Sequence, residues 1–170
     1  MKDLIVIAGA PGSGKTTVGE LLHARLQSVY IDFGDLRVWH LDREWKKASQ
    51  DEEAMSFENL IFVVNNYVRH EYKNVIVTDL KDEKVQQIPG VFQNLDFVIF
   101  SLFVETDEEI SRRVAVRNSG FKNVNAAVAW NRALINRACV ANEYKIDNTH
   151  NDPQKTLDVI LQHLEGISLK

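Results

Sequence analysis

The chain has 170 residues, 45% of them hydrophobic, which fits one globular domain spanning residues 1–170 with a core of its own. Twenty lysines and arginines against 24 acidic residues leave a formal charge of −4, so no overall basic field points to a nucleic-acid partner. The single cysteine, Cys139, excludes a disulfide framework and a cysteine zinc site, and the five histidines show no metal-ligand spacing.

At the N-terminus, MKDLIVIAGA has the outline of a signal peptide: one lysine, an apolar run, then small residues. The run Leu4–Ala8 is short for that role, Asp3 precedes it, and it leads straight into a glycine segment, so it reads as a buried strand. No stretch approaches the roughly 20 apolar residues of a membrane span, and a soluble, cytoplasmic protein with no membrane partner is expected.

Further apolar runs of strand length follow at Val29–Asp32, Val75–Leu80 and Phe97–Val104, with a weaker one at Tyr144–Asp147. Helical spacing fills the intervals. Lys15–Gln27 puts Val18, Leu21, Leu22 and Leu26 on one side, and Phe57–Tyr72 does the same with Leu60, Ile61, Val64, Tyr67 and Val68. Thr106 caps a run opening with Asp107, Glu108 and Glu109; Asn125–Tyr144 reads mostly as helix; Pro153–Leu164 begins with proline in the first turn. Strands apolar on both faces, alternating with helices, predict an α/β fold: a five-stranded parallel sheet as the middle of three α/β/α layers. Asp35–Ser56 is the least regular segment, polar apart from Trp39 and Trp45, and reads as a flap or a substrate region.

The glycine segment carries the strongest chemical signal. Gly9-Ala10-Pro11-Gly12-Ser13-Gly14-Lys15-Thr16-Thr17 matches the Walker A pattern and lies between a predicted strand and a predicted helix. Without side chains at the glycines, backbone N–H groups can curl around a phosphate at the positive end of the helix. Lys15 then reaches the β- and γ-phosphates and the Thr16 hydroxyl reaches Mg²⁺, so ATP and Mg²⁺ are the expected cofactors.

A Walker A at residue 9 of a chain this short resembles the small P-loop kinases: the nucleoside monophosphate kinases and their shikimate-, gluconate- and nucleoside-kinase relatives. Tyr30-Ile31-Asp32-Phe33-Gly34-Asp35-Leu36-Arg37 is similar to the segment after the second strand of adenylate kinases, including the Asn-Phe-Gly-Asp string of the archaeal type. There a Gly-Asp pair precedes an arginine on the acceptor phosphate; here Arg37 comes one residue early relative to the bacterial pattern. The shikimate-type resemblance implies that Asp32 holds or deprotonates an acceptor hydroxyl. Asp32 and Asp35 fit helix capping or turn formation equally well. Val75-Ile76-Val77-Thr78-Asp79 resembles Walker B, which makes Asp79 a magnesium ligand, direct or through water. Lys81 falls where adenylate kinases place an acceptor-phosphate arginine, and fits a solvated surface lysine too.

The arginines Arg112, Arg113, Arg117, Arg132 and Arg137 resemble those that flank a closing lid in these kinases, with residues 118–123 as a short lid. Arg113 and Arg117, four apart, share a helix face. Salt bridges to Glu108 or Glu109 would account for two of the five, and Arg113, Arg117 and Arg132 are the functional choices. In Ile146–Pro153 the resemblance puts Asn148 and Thr149 beside the adenine; it extends to Arg137 and Asn142–Tyr144. The implied activity is ATP- and Mg²⁺-dependent transfer of the γ-phosphoryl group to a small-molecule acceptor. Lys15, Asp32, Asp35, Arg113 and Arg117 would be catalytic, and Asp32, Asp35, Arg37, Lys81 and Arg132 would contact the acceptor. A phosphate acceptor would need no base; a hydroxyl acceptor would use Asp32 or Asp35. Two other readings stay open: a regulatory nucleotide-binding protein without an acceptor, and a nucleic-acid end kinase.

Overall fold

The computed structural model describes residues 1–38, 49–117 and 120–166. Five strands, β1 (Leu4–Gly9), β2 (Tyr30–Asp32), β3 (Val75–Thr78), β4 (Phe97–Phe103) and β5 (Glu143–Asp147), form one sheet in the order β2-β3-β1-β4-β5. Every pair is parallel; Ile5 lies opposite Ile76 on one side and Val98 on the other. The five predicted strand runs are all present. The chain goes from β1 to one side of the sheet and later to the other, so β1 marks the switch point at whose carboxyl end a crevice opens.

Alternation along β1 explains why the sheet needs helices on both faces. Leu4, Val6 and Ala8 join a core with Phe33, Leu36, Phe57, Leu60 and Val64, whereas Ile5 and Ile7 join a second core with Val18, Leu22, Leu157 and Ile160. The first group comes from α2 (Phe33–Val38) and α3 (Gln50–Arg69), the second from α1 (Lys15–Leu26) and α8 (Pro153–Leu164). Each fully buried side chain of this size contributes about 1.5–3 kcal/mol, which makes the two cores the main source of stability.

The remaining helices are the short α4 (Asp82–Val85) and α5 (Ile88–Val91), then α6 (Asp107–Ala115) and α7 (Val124–Asn136). Their starts follow local chemistry. Thr106 Oγ1 accepts from the Glu109 N–H, Asn123 Oδ1 from Ala126, and Asp152 Oδ1 from Lys155 beside Pro153. Such caps contribute about 1 kcal/mol each. Ser49 and Glu52 form a reciprocal capping box at the start of α3, so this helix begins seven residues before the expected Phe57 and ends at Arg69.

Two segments depart from the sequence expectation. Asp35–Ser56 is not irregular throughout: Asp35–Val38 continues α2, and Gln50 onward is α3. Trp39 and Trp45 lie outside the described residues. The expected helix Asn125–Tyr144 stops at Asn136, because Arg137 adopts an extended backbone with ψ 156°. No helix among the described residues is long and apolar enough to cross a membrane.

Candidate active site

The glycine loop leaves the end of β1 and turns into α1. Gly9 has φ 146°, and a Cβ there would lie 2.5 Å from the Leu102 carbonyl oxygen of β4 and 2.3 Å from Ser13 Oγ. Gly14 has φ 98° and caps α1, where a Cβ would meet Asn148 Nδ2 at 2.7 Å. Both positions therefore require glycine for backbone conformation and for space. Ala10, Pro11 and Ser13 are buried beneath the loop, while Gly12, Thr16 and Thr17 are accessible. A cleft of about 440 Å³ opens over Gly12, Gly14 and Lys15–Val18.

Lys15 is almost fully buried, and its Nζ lies 3.3 Å from Asp79 Oδ1. Asp79 follows the last residue of β3 with φ 64°, a left-handed conformation that costs an L-residue roughly 1 kcal/mol and here turns its carboxylate toward the loop. Among the described residues no three His, Cys, Asp or Glu side chains cluster to hold a metal unaided. The donor set still fits a P-loop magnesium, which binds through few protein oxygens and completes its shell with phosphate and water. Thr16 on the cleft and Asp79 beside Lys15 are the residues that would hold it, and the glycine loop with Lys15 has the donors that a triphosphate would need.

The far wall of the cleft comes from α6 and the loop after β5: Arg112, Arg113, Val116, Arg117, Asn148, Asn151 and Pro153. Arg113 donates from Nε to Glu109 at 2.7 Å, and from Nη2 to the Asn148 and Thr149 carbonyls at 3.0 and 2.7 Å. Arg112 binds both oxygens of the same Glu109, and these two guanidinium groups, Arg112 first, hold the Glu109 carboxyl down at about 2. Arg117 lies against Gly120; Asn118 and Ser119 of the expected lid are outside the described residues.

Asn148 and Thr149 are nearly buried. Asn148 Nδ2 donates to the Ser13 carbonyl at 2.7 Å and its Oδ1 accepts from Thr156 Oγ1, while Thr149 Oγ1 accepts from the Glu105 N–H at 2.7 Å. Their side chains thus join the glycine loop, the segment after β4 and α8. The accessible cleft wall beside them is formed by Asn151 and Pro153, which lie in the predicted adenine-loop segment, and by Val116, which sequence reasoning did not single out. Val116 is exposed just past α6, which the sequence alone does not announce.

On the opposite side of Lys15 lie the candidate acceptor residues. Asp32 pairs with Thr78 in the sheet, so Asp32 and Asp79 stand at adjacent strand ends. Asp32 Oδ1 accepts from the Gly34 N–H at 2.8 Å, a turn that starts α2. Burial, then the Asp79 carboxylate and more weakly Asp35, raises the Asp32 pKa above the ordinary carboxylate value. Arg37 is buried on α2, stands over the Phe33 ring at 5.9 Å and pairs with Glu53 of α3. Burial lowers the Arg37 pKa despite Glu53 and Asp79 nearby. Lys81 Nζ reaches the same Glu53 oxygen at 3.2 Å. Glu53 carried no sequence signal, being one of three acidic residues in the first turn of α3.

Two of the five arginines stand apart from the cleft. Arg132 is largely exposed and pairs with Asp107, tying α7 to α6. Arg137 binds Asp82 and the buried Glu143.

The parallel sheet in this order, with a glycine loop at the switch strand, is a fold shared with solved structures of small-molecule kinases. Residues 5–120 match the family described as an AAA domain, and the chain belongs to that family. No curated protein matches the sequence. Among solved structures, a sugar kinase from Janibacter sp. HTCC2649 is similar with a TM-score of 0.71 at 14% identity, covering 98% of both chains. A gluconokinase from Sinorhizobium meliloti 1021 gives 0.69 at 14%, covering 96% of this chain and 91% of its own. A shikimate kinase from Aquifex aeolicus gives 0.63 at 18%, covering 96% of each. At such identities the likeness is one of fold.

Proposed function

We propose that the protein is an ATP- and Mg²⁺-dependent phosphotransferase whose acceptor is a hydroxyl group on a small molecule. The observation that carries this reading is the position of Asp32. It stands at a strand end beside Asp79, next to the lysine of the phosphate loop, and uses one carboxylate oxygen for the Gly34 N–H. Similar structures named as sugar kinase, gluconokinase and shikimate kinase support the same class.

In this mechanism the loop amides and Lys15 bind the β- and γ-phosphates and keep the γ-phosphorus in line with the acceptor. Thr16 and Asp79 would hold Mg²⁺, which would neutralise charge on the phosphate oxygens. Arg113 fixes the loop after β5 through its two carbonyl contacts, and Arg117 would stabilise charge on the transferring group. Asp32 accepts the proton of the attacking hydroxyl, and its raised pKa makes it a stronger base than an ordinary carboxylate. Asp35 would orient the acceptor.

The test is ADP production from MgATP across a panel of sugars, nucleosides and nucleotides, comparing wild type with Lys15→Ala. Acceptor-dependent ADP that vanishes in Lys15→Ala supports the proposal. ATP binding with slow hydrolysis unaffected by every acceptor would favour a regulatory nucleotide-binding protein instead.

A further inference from the structure

We infer that Glu109, in the first turn of α6, is the positioning residue of the nucleotide site: it holds Arg113 in the far wall of the cleft and thereby sets the affinity for ATP. The inference deepens the phosphotransferase reading and rests on its first step, the binding of a nucleotide over the glycine loop.

Three anchors fix the Arg113 guanidinium. Nε donates to Glu109 Oε1 at 2.7 Å, and Nη2 donates to the Asn148 and Thr149 carbonyls at 3.0 and 2.7 Å. The group is planar, so bonds to two of its nitrogens from different elements set both its place and its plane. Glu109 precedes Arg113 by four residues, the spacing at which an acidic and a basic side chain meet on one helix face. The carboxylate is itself held. The Thr106 hydroxyl accepts from the Glu109 N–H, and Arg112 donates to both carboxylate oxygens, at 2.7 and 2.8 Å. The Arg113 and Glu109 side chains are 20% and 22% exposed against 64% for Arg112, so water screens the bond to Arg113 less than the bonds to Arg112.

The same helix lies on the phosphate loop. A Cβ at Gly12 would stand 3.0 Å from Val114 Cγ2, 3.3 Å from Ile110 Cδ1 and 3.5 Å from Arg113 Cβ. Arg113 thus runs from the glycine loop, where its stem packs, to the loop after β5, where its guanidinium is bound, and it lines the cleft together with Lys15. Removing the Glu109 carboxylate takes away the Nε anchor, so the guanidinium plane can turn about its Nη2 bonds. A group displaced by about 1 Å in such a site costs up to about a hundredfold in transfer. Charge alone would act the other way. A carboxylate near a triphosphate repels it, so a Glu109 that supplied nothing but charge would weaken ATP binding, and its removal would tighten it. The positioning role predicts the opposite sign.

The experiment titrates a non-hydrolysable ATP analogue with Mg²⁺ into the full chain by calorimetry. It compares wild type, Glu109→Gln, Glu108→Gln, Arg113→Met and the double variant Glu109→Gln with Arg113→Met, with a melting curve of each. Glu109→Gln is expected to bind the analogue about tenfold more weakly. Arg113→Met should lose at least as much, and the double variant no more than Arg113→Met alone, because Glu109 acts through Arg113. Glu108→Gln removes the same charge from an exposed neighbouring position and should bind as well as wild type or slightly better. Equal or tighter binding by Glu109→Gln overturns the inference, whatever its melting point. So does a further loss in the double variant, or an equal loss in Glu108→Gln. If circular dichroism shows Glu109→Gln or Arg113→Met unfolded, Glu109→Asp decides alone. Its shorter side chain keeps the charge but withdraws it from Arg113, so weaker binding supports the positioning role and wild-type binding overturns it. An analogue that does not bind wild type overturns the nucleotide reading itself, a result distinct from binding that Glu109→Gln leaves unchanged.

Discussion

Asn148 on the loop after β5 and Ser13 in the glycine loop, 135 positions apart, are joined by a buried 2.7 Å hydrogen bond from the Asn148 amide to the Ser13 carbonyl. The other end of the same side chain accepts from Thr156 on α8. One amide therefore holds the phosphate cradle against the wall of the cleft, and Gly14 leaves the space for it. Asn148→Ala removes both bonds and strands buried partners, so a loss of about 2 kcal/mol is expected in thermal or urea unfolding. ATP affinity should fall by about tenfold, because the loop amides lose their fixed orientation. Asn148→Asp should do worse, since it sets a carboxylate oxygen against the Ser13 carbonyl. Unchanged ATP affinity in a destabilised Asn148→Ala would show that the tie is structural only.

Lys15 presents a different balance. Its partner Asp79 is 40% exposed on the side chain, so losing the ammonium leaves a carboxylate that water can reach. Lys15→Ala is thus expected to unfold within a few degrees of wild type while losing phosphoryl transfer by about a hundredfold or more. Lys15→Arg should fail to restore transfer, because a planar fork cannot replace a compact charge inside the cradle. Melting curves beside ADP assays separate the two effects.

Much of this was legible in the sequence because its signals are local. The five strands are runs apolar on both faces, and the phosphate loop needs its glycines in fixed order between a strand and a helix. The acceptor side was less legible because its chemistry depends on pairs brought together by folding. Glu53 sits 16 positions from Arg37 and 28 from Lys81, and nothing in the spacing announces that it binds both. Asp32 shows why a capping reading and an acceptor reading were hard to separate: it makes the predicted turn with Gly34 through one carboxylate oxygen, which leaves its proposed acceptor role to experiment. The overlong helix after Asn125 failed for a tertiary reason. Its pattern continues past Asn136, but Lys145 takes the carbonyls of Ile135 and Arg137, and the Arg137 side chain turns to Asp82 and Glu143.

Asp32→Asn tests the proposed base. The amide oxygen can still accept from Gly34, so the turn into α2 should persist, while transfer to a hydroxyl should fall by about 10²–10⁴ with ATP binding retained. In wild type, kcat/KM should rise with pH along an acid limb shifted upward from that of an ordinary aspartate, since Asp32 must be ionised to take a proton. The stability effect has the opposite sign. A carboxyl whose pKa is raised in the folded state binds its proton more tightly there than when unfolded. Its favourable contribution is complete below the unfolded pKa and lost as pH rises through the folded one. At neutral pH the ionised group is therefore a burden, and Asp32→Asn should melt higher than wild type, by roughly 2–4 °C for each kcal/mol relieved. A variant that melts lower and keeps transfer activity would remove Asp32 from the mechanism.

Arg137 carries a structural prediction that distinguishes it from the arginines of the cleft. Its guanidinium binds Asp82 and both oxygens of Glu143, whose side chain is fully buried and also accepts from Ser101 Oγ at 2.5 Å and the Val140 N–H at 2.8 Å. Burial alone would raise the Glu143 pKa, but the hydrogen bonds from Arg137, Ser101 and Val140 outweigh it and the pKa is lowered. Such a group stabilises the fold above its unfolded pKa, and that contribution is lost as pH falls through the lower folded value. Arg137→Met leaves Glu143 without its counter-charge, at a cost of about 3–5 kcal/mol and a fall in Tm of roughly 10 °C at neutral pH. Adding Glu143→Gln should recover a large part of that loss, because the buried group is then neutral. It should also flatten the acid side of the stability profile, where wild type loses the Glu143 contribution below the usual glutamate range. Additive losses in the double variant, measured by unfolding from neutral pH to strong acid, would mean that the two side chains do not act as a pair.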